Sequence, residues 1–343
     1  MIIHIVTGIN TKAPVKMALS LCTESNVNGK KSIILYLSKS KSDEKLIGEI
    51  RNNNITVDKF RLKYLLLDAV FHSHGIKPDI LSFFIKILFR KKTIATLHCN
   101  PWREFEDRLA GKIIPKVWLS IVRRLDRLVL LTDYIRREIG NPPNSTIIHN
   151  GIDIQTNDLK DSAIVNVIRE FKGNRKLLFS YGVLRELKGF DFLIEAMRFL
   201  DDSYCLVIAG DGIDRNRLNK IIVDMKMENR ILLLGYIQNP YEYLDVDDIL
   251  VFPSRSEGFP ISIIEAMNIG KKPLVSDIGP FIEISNYAEL TLFKLDCFES
   301  FIDAVTKLQS PNSYTNKEIA VRNFSSSVCY KRYEEIYDVL RGM

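Results

Sequence analysis

Short apolar runs alternate along the chain with longer segments in which apolar residues recur at helical spacing, the pattern of parallel sheets covered by helices. In the first half the runs predict strands at 2–6 (IIHIV), 32–37 (SIILYL), 69–71, 93–97 (TIATL), 127–131 (RLVLL) and 146–148. Helices are expected between them, among them 14–27, 79–90 and 113–124. The second half restarts the pattern with 176–181 (KLLFSY), 204–209 (YCLVIA), 230–234 (RILLL), 248–252 (DILVF) and 273–276 (PLVS). Two sheets of five or six strands imply an α/β protein of two Rossmann-like domains facing a central cleft. Ligands of such sheets bind outside the carboxyl ends of the strands. The boundary is expected between His149 and Phe171, where Asn-Gly-Ile-Asp gives way to a polar stretch, giving domains of 1–165 and 166–320.

A length of 343 residues with 46% hydrophobic and 26% charged residues agrees with two ordinary globular cores. No apolar run approaches the roughly 18 residues needed to span a bilayer. Ile80–Phe89 is the best candidate; it is interrupted by Lys86 and reads as a buried helix of a Rossmann layer. Residues 1–8 (MIIHIVTG) read as a strand entering a turn, without a secretory leader. Five scattered cysteines without a C-x-x-C exclude a disulfide framework or zinc knuckle and point to a reducing, cytoplasmic setting.

Charge changes the picture. Residues 1–165 hold 26 Lys+Arg against 16 Asp+Glu, and residues 166–343 hold 22 against 26, so the net +6 belongs to the first half. Its clusters are Arg90-Lys91-Lys92, then Arg103, Arg108, Lys112 and Lys116, then Arg123, Arg124, Arg127, Arg136 and Arg137. No nucleic-acid signature accompanies them. Trp102, Phe105, Trp118 and Ile121 lie among them, which fits an anionic membrane surface better than nucleic acid.

The chemistry concentrates in 249–279, ILVFPSRSEGFPISIIEAMNIGKKPLVSDIG. A buried strand ends at Phe252, a polar loop follows, Pro260 suits the first helical position, and Gly270 suits a left-handed cap. The amides of Gly258, Phe259, Pro260 and Ile261 around this helix start are expected to form an anion site for a diphosphate, Pro260 itself contributing no N–H. Glu265 lies about 7.5 Å along the helix from Pro260, and a carboxylate there suits the paired hydroxyls of a ribose. Glu257, on the loop, would lie nearer a reacting sugar. Together these residues describe a nucleotide-sugar site.

This segment resembles the signature of retaining glycosyltransferase family 4, whose GT-B arrangement has two Rossmann-like domains. Supporting stretches are HSHGIKPDI (72–80), TIATLH (93–98), LDRLVLLTDYIRREI (125–139), IIHNGID (147–153), YGVLRELKGFDFLIEAM (181–197), VIAGDG (207–212) and LLGYI (233–237). The closing stretch, within about 321–343, is similar to the terminal helix that returns to the first domain in that fold. The resemblance implies that Lys188 of G-x-L-x-x-x-K-G contacts the donor diphosphate. Val183 stands where the family often has arginine, and Arg185 is the substitute. It also implies that His98 faces the transferred sugar, that Glu257 positions the sugar without becoming a covalent nucleophile, and that no metal or cofactor is needed. His4, His72 and His149 read as structural; His74 fits either role. The family's first loop carries glycines, whereas TGINTKAPVKM (7–17) keeps Gly8 and brings Lys12, which is expected to supply by side chain the anion contact that backbone amides otherwise provide.

The expected function is transfer of a sugar from a nucleoside diphosphate to a hydroxyl acceptor, with retention. The acceptor class implied is a lipid-linked saccharide of bacterial surface polysaccharide such as O-antigen, capsule or lipopolysaccharide. The site is a cytoplasmic one, peripheral at the inner face of the membrane. Two alternatives stay open: a nucleotide-sugar 2-epimerase of the same fold, and a binding subunit without turnover.

Overall fold

Every strand pair runs parallel, so each strand must be followed by a crossover, and this is why apolar runs and amphipathic segments alternate. The computed structural model describes residues 1–105, 111–154 and 161–342. Arg108 and the polar stretch 155–160 lie outside the described residues. The first sheet comprises β1 (Ile2–Val6), β2 (Ser32–Tyr36), β3 (Thr56–Lys59), β4 (Val70–His74), β5 (Lys92–Leu97), β6 (Arg127–Leu130) and β7 (Ser145–Ile147), in the order β3-β2-β1-β4-β5-β6-β7. The second comprises β8 (Lys176–Tyr181), β9 (Tyr204–Ala209), β10 (Ile231–Gly235), β11 (Ile249–Phe252), β12 (Leu274–Ser276) and β13 (Thr291–Phe293), in the order β10-β9-β8-β11-β12-β13. In each sheet the first strand has neighbours on both sides, and the order reverses there. At such a switch point neighbouring crossovers leave in opposite directions and open a crevice at the strand ends.

The sheets have seven and six strands, one more each than the apolar runs indicate. The additions, β3 (TVDK) and β13 (TLF), are edge strands in which only Val57 and Phe293 are fully buried. An edge strand buries less and so carries no continuous apolar run.

The chain divides into two compact units, Met1–Asp153 with Asn323–Met343, and Ile154–Arg322. The division precedes the expected residue 165 because the helix Ser162–Lys172 is tied to the second unit. Lys172 Nζ bonds Asp248 at 2.6 Å, and the Asp161 N–H donates to the Tyr243 hydroxyl at 3.3 Å. The terminal helix Ser326–Arg341 completes the first unit. A Cβ on Gly151 would strike the Ser325 carbonyl, so glycine is needed where HNGID meets this helix. Asp153 and Ser326 then exchange hydrogen bonds, 3.1 Å from the Asp153 N–H and 3.2 Å back from the Ser326 N–H. Tyr333 and Tyr337, four apart and so on one helical face, reach Thr96 (3.0 Å) and His72 (2.8 Å) with their hydroxyls.

The interior also corrects the assignment of the surface. Phe105 and Trp118 are buried, and the Trp118 indole donates to Asp79 at 2.7 Å; neither is available to a membrane. The helix Ile76–Phe89, expected to be buried, instead exposes its outer face. None of the described helices is long and apolar enough to cross a membrane.

In the second unit the helix Ile261–Asn268 ends as expected at Gly270, which is left-handed (φ 74°). The Lys271 N–H bonds Ala266 O and the Gly270 N–H bonds Met267 O, each at 2.9 Å, closing a Schellman motif. Lys271 is itself buried, and its ammonium donates to the carbonyls of Asp245, Val246 and Asp248 at 2.6, 2.7 and 2.9 Å. Lys271→Met keeps the aliphatic stem and leaves three carbonyls without their donor. It should destabilise the second unit by about 2–3 kcal/mol, a fall of roughly 5–10 °C in its calorimetric transition.

Candidate active site

The loops that follow β8 and β11 leave adjacent parallel strands at the switch point of the second sheet. They are sewn together. The Arg255 N–H donates to Leu187 O (2.8 Å), and its guanidinium reaches Glu186 O (3.0 Å), Asp191 (2.8 Å) and Asp296 (3.0 Å). Gly189 follows the turn Glu186–Lys188 in the left-handed region (φ 67°), and a Cβ there would collide with the Pro253 carbonyl. Only glycine allows the two loops to approach so closely. Their approach places Lys188 Nζ 2.6 Å from Glu257 Oε1, and the Ser254 hydroxyl donates to the same oxygen at 2.6 Å. Arg185 stands at the cap of that turn, half-buried, its carbonyl accepting the Lys188 N–H at 2.9 Å.

Beyond Glu257 the chain runs inward through Gly258, Phe259, Pro260 and Ile261, all buried. Pro260 is the cap of the helix Ile261–Asn268 and not its first residue, with extended backbone (ψ 128°) and its carbonyl accepting the Ile263 N–H at 3.1 Å. Pro260 itself offers no side-chain cap to this end. The first amides of a helix have no partner within it, so the donors available here are backbone ones on the positive end of the helix dipole. Glu265 is buried on the same helix, 6% exposed. Burial, with the Glu265 carboxylate nearby, holds the phenols of Tyr181 and Tyr241 above their usual range, so both remain neutral. The Tyr181 hydroxyl donates to Ser262 O at 3.2 Å. Arg255, Ser254 and Tyr241 escape a reading of motifs, and Tyr181 stands out only as the start of the stretch 181–197. The first two are legible only as neighbours of Glu257 in S-R-S-E-G, and the tyrosines are brought in from other strand ends.

The remaining three expected residues lie in the first unit. Gly8 follows β1, and a Cβ on it would strike the Lys41 backbone, so its bareness serves the packing of its own chain. Lys12 is exposed at the cap of the helix Ala13–Val27, its N–H donating to the Asn10 side chain at 3.0 Å. His98 follows β5 and begins a chain of rings: His98 Nε2 lies 3.0 Å from His74 Nδ1, and His74 Nε2 lies 3.1 Å from His4 Nδ1. Each neutral imidazole donates once and accepts once, so the protons of the three rings must point the same way along the chain. Burial lowers His4 and His98 to about 3 and puts His72 and His74 well below the usual value. His98 Nδ1 is buried and has no partner among the described residues. His4, His72 and His74 bring ring nitrogens within 4.8 Å of one another, a spacing that suits a metal. His72, however, commits both its nitrogens to Tyr337 and Thr96 (2.8 Å each), and both nitrogens of His74 are engaged by His4 and His98, so two of the three rings are already held by hydrogen bonds.

Residues 165–316 match the family model of glycosyl transferases group 1. Over 319 residues the chain is 27% identical to the O-antigen biosynthesis glycosyltransferase WclY of Escherichia coli, covering 90% of this chain and 89% of that one. The matched stretch, a little under half of the chain, is similar to glycosyl transferases group 1. A second relative, the UDP-Gal:alpha-D-GlcNAc-diphosphoundecaprenol alpha-1,3-galactosyltransferase of Escherichia coli, is 28% identical over 70% of this chain and 66% of its own. The crystal structure of Anabaena HepE in complex with UDP and glucose superposes on 98% of this chain and 99% of its own, with a TM-score of 0.81 at 15% identity. That likeness establishes the GT-B fold. The matched segment holds Arg185, Lys188, Glu257, residues 258–261 and Glu265; Gly8, Lys12 and His98 fall outside it.

Proposed function

We propose that this glycosyltransferase moves a sugar, with retention, from a nucleoside diphosphate to a hydroxyl of a lipid-linked saccharide in the assembly of a surface polysaccharide. The observation that carries this reading is the Lys188–Glu257 pair at 2.6 Å, beside a helix start to which Pro260 offers no side-chain cap and above a buried carboxylate on that helix. The diphosphate lies against the amides of residues 258–261 with Lys188 and Arg185, and Glu265 receives the ribose hydroxyls. Glu257 orients the sugar. The bond from C1 to the phosphate oxygen breaks, the acceptor oxygen bonds C1 from the same face, and the acceptor proton passes to the departing phosphate oxygen. Charge growing on that oxygen is met by the two cations, so the step as drawn needs no metal. His98 and Lys12, on loops of the first unit, are assigned to the transferred sugar and to an anionic group respectively.

The acceptor class is supported by relatives named for O-antigen biosynthesis and for diphosphoundecaprenol-linked acceptors, and retention by the alpha linkage named for the latter. A polyprenyl diphosphate acceptor places the work at the cytoplasmic face of the membrane. The test is a thermal-shift screen against UDP-, GDP- and ADP-sugars, followed by NMR of the product anomer. A matching donor at 100 times its dissociation constant stabilises by about 2.7 kcal/mol. A screen in which no sugar nucleotide raises the transition overturns the donor site, and an inverted anomer overturns retention. Conversion of the donor sugar in the absence of acceptor makes the protein an epimerase instead.

A further inference from the structure

The helix Ile76–Phe89 is apolar on both faces: Ile76, Leu81, Phe83 and Ile85 pack on the core, and a second apolar stripe faces outward. Its fully buried residues are Pro78, Asp79, Ser82 and Ile85, whereas Phe84, Ile87, Leu88 and Phe89 are 50, 56, 67 and 47% exposed. The inward polar residue is held in place: Asp79 accepts from the Ser73 hydroxyl (2.6 Å) and the Trp118 indole (2.7 Å). The outward apolar stripe is therefore not a register error that a small rotation would correct.

The stripe has neighbours of the same kind. The helix Ile113–Val122 runs parallel beside it, since Asp79 meets Trp118 and Lys86 Nζ meets Arg124 O (2.8 Å) in step, and it exposes Ile113 and Val117. At the far end Lys91 Nζ holds Leu67 O (2.8 Å), next to the exposed Leu66. Around these apolar residues the charge is predominantly positive, with Asp126 pairing Lys86 at 2.9 Å. Residues 61–92 carry seven Lys+Arg and 112–124 carry four, against Asp68 and the buried Asp79.

We propose that the outer faces of these two helices form a docking surface for an anionic phospholipid bilayer. A contiguous apolar patch marks an interaction site, and the basic rim selects the occupant. A second copy of the chain would set like charges against each other. Nucleic acid would give the exposed phenylalanine and leucines nothing apolar to enter. A bilayer with anionic headgroups meets both halves of the surface: apolar side chains pass into the boundary between headgroups and acyl chains, while lysine and arginine extend to the phosphates. This purpose rests on the lipid-linked acceptor proposed above; the binding itself does not.

The experiment is co-sedimentation of the full chain with phosphatidylglycerol-containing vesicles and with pure phosphatidylcholine vesicles. Expected is binding to the anionic vesicles that is weakened at least about tenfold in high salt and in pure phosphatidylcholine. Phe84→Ser with Leu88→Ser, and separately Arg90→Glu with Lys92→Glu, should each weaken it about tenfold. All four side chains are exposed, so circular dichroism and thermal melts should match the parent and exclude misfolding. Unaltered vesicle binding by both double variants overturns the surface. So does a change of oligomeric mass in the variants without vesicles, which would assign the patch to a second copy. The sugar-nucleotide thermal shift is read in parallel. Vesicle binding without any donor shift removes the reaction and keeps the surface; a donor shift without vesicle binding does the reverse.

Discussion

Lys188→Ala should lower turnover by about 100- to 1,000-fold, the loss seen when one preorganised donor is removed from a charge that develops in the transition state. The cation is useful because it is fixed. Glu257 lies 2.6 Å away with 11% of its side chain exposed, and the Ser254 hydroxyl holds the same carboxylate oxygen. The pair therefore stays ordered without donor, and the ammonium needs no rearrangement when diphosphate departs. Removing Lys188 also leaves Glu257 half-buried and unpaired, so the effect is expected to overlap with that of Glu257→Gln. Losses of residues that act as a unit do not add. Steady-state release of nucleoside diphosphate from the single and double variants checks this, with thermal melts as a control for folding. A loss below about threefold for Lys188→Ala would make it a residue of the loop structure and not of the reaction.

Mild acid should unfold the first unit. His4, His72, His74 and His98 are all held neutral by burial, with folded values depressed below their unfolded ones. For a depressed histidine the unfolded chain binds the proton first, so the stability is complete above about pH 6.5 and is lost as the pH falls toward the folded value. Asp79 acts in the opposite sense, because burial raises its carboxyl to about 7 and the folded form keeps that proton. Four protons favouring the unfolded chain against one favouring the folded leave roughly 4 kcal/mol per pH unit below about 6. A domain has only about 5–15 kcal/mol to lose, so collapse is expected near pH 5. The two tryptophans of the chain, Trp102 and Trp118, both lie in the first unit, so fluorescence-detected urea melts report that unit alone. A midpoint unchanged between pH 7 and pH 5 would mean that the rings are already charged or solvated in the fold.

Central strands were legible because they are buried on both faces and read as unbroken apolar runs; β1, β8 and β9 match their runs to the residue. The edges β3 and β13 were not, since a strand buried on one side needs no such run. Glu257, Lys188 and Glu265 stood out through the glycines and prolines around them, which mark where backbones must turn or touch. Arg255 did not, because its value comes from Asp191 and Asp296, 64 and 41 positions away. The histidine chain was invisible for the same reason: His4, His74 and His98 meet only once β1, β4 and β5 lie side by side in that order. The helix Ile76–Phe89 misled the reading of composition. Ile80–Phe89 looks like interior, and nothing local reveals that Asp79 goes in while part of this run faces out.

The terminal helix has one more consequence. Because its tyrosines close the hydrogen bonds of His72 and Thr96, the first unit to leave the ribosome is the last to be finished. Nascent chain up to Asp153 carries a sheet whose central polar groups await partners more than 200 residues downstream, as the 265 positions between His72 and Tyr337 require. Translation that stops between Arg322 and Tyr333 would therefore yield a product with an intact second unit and an open first one.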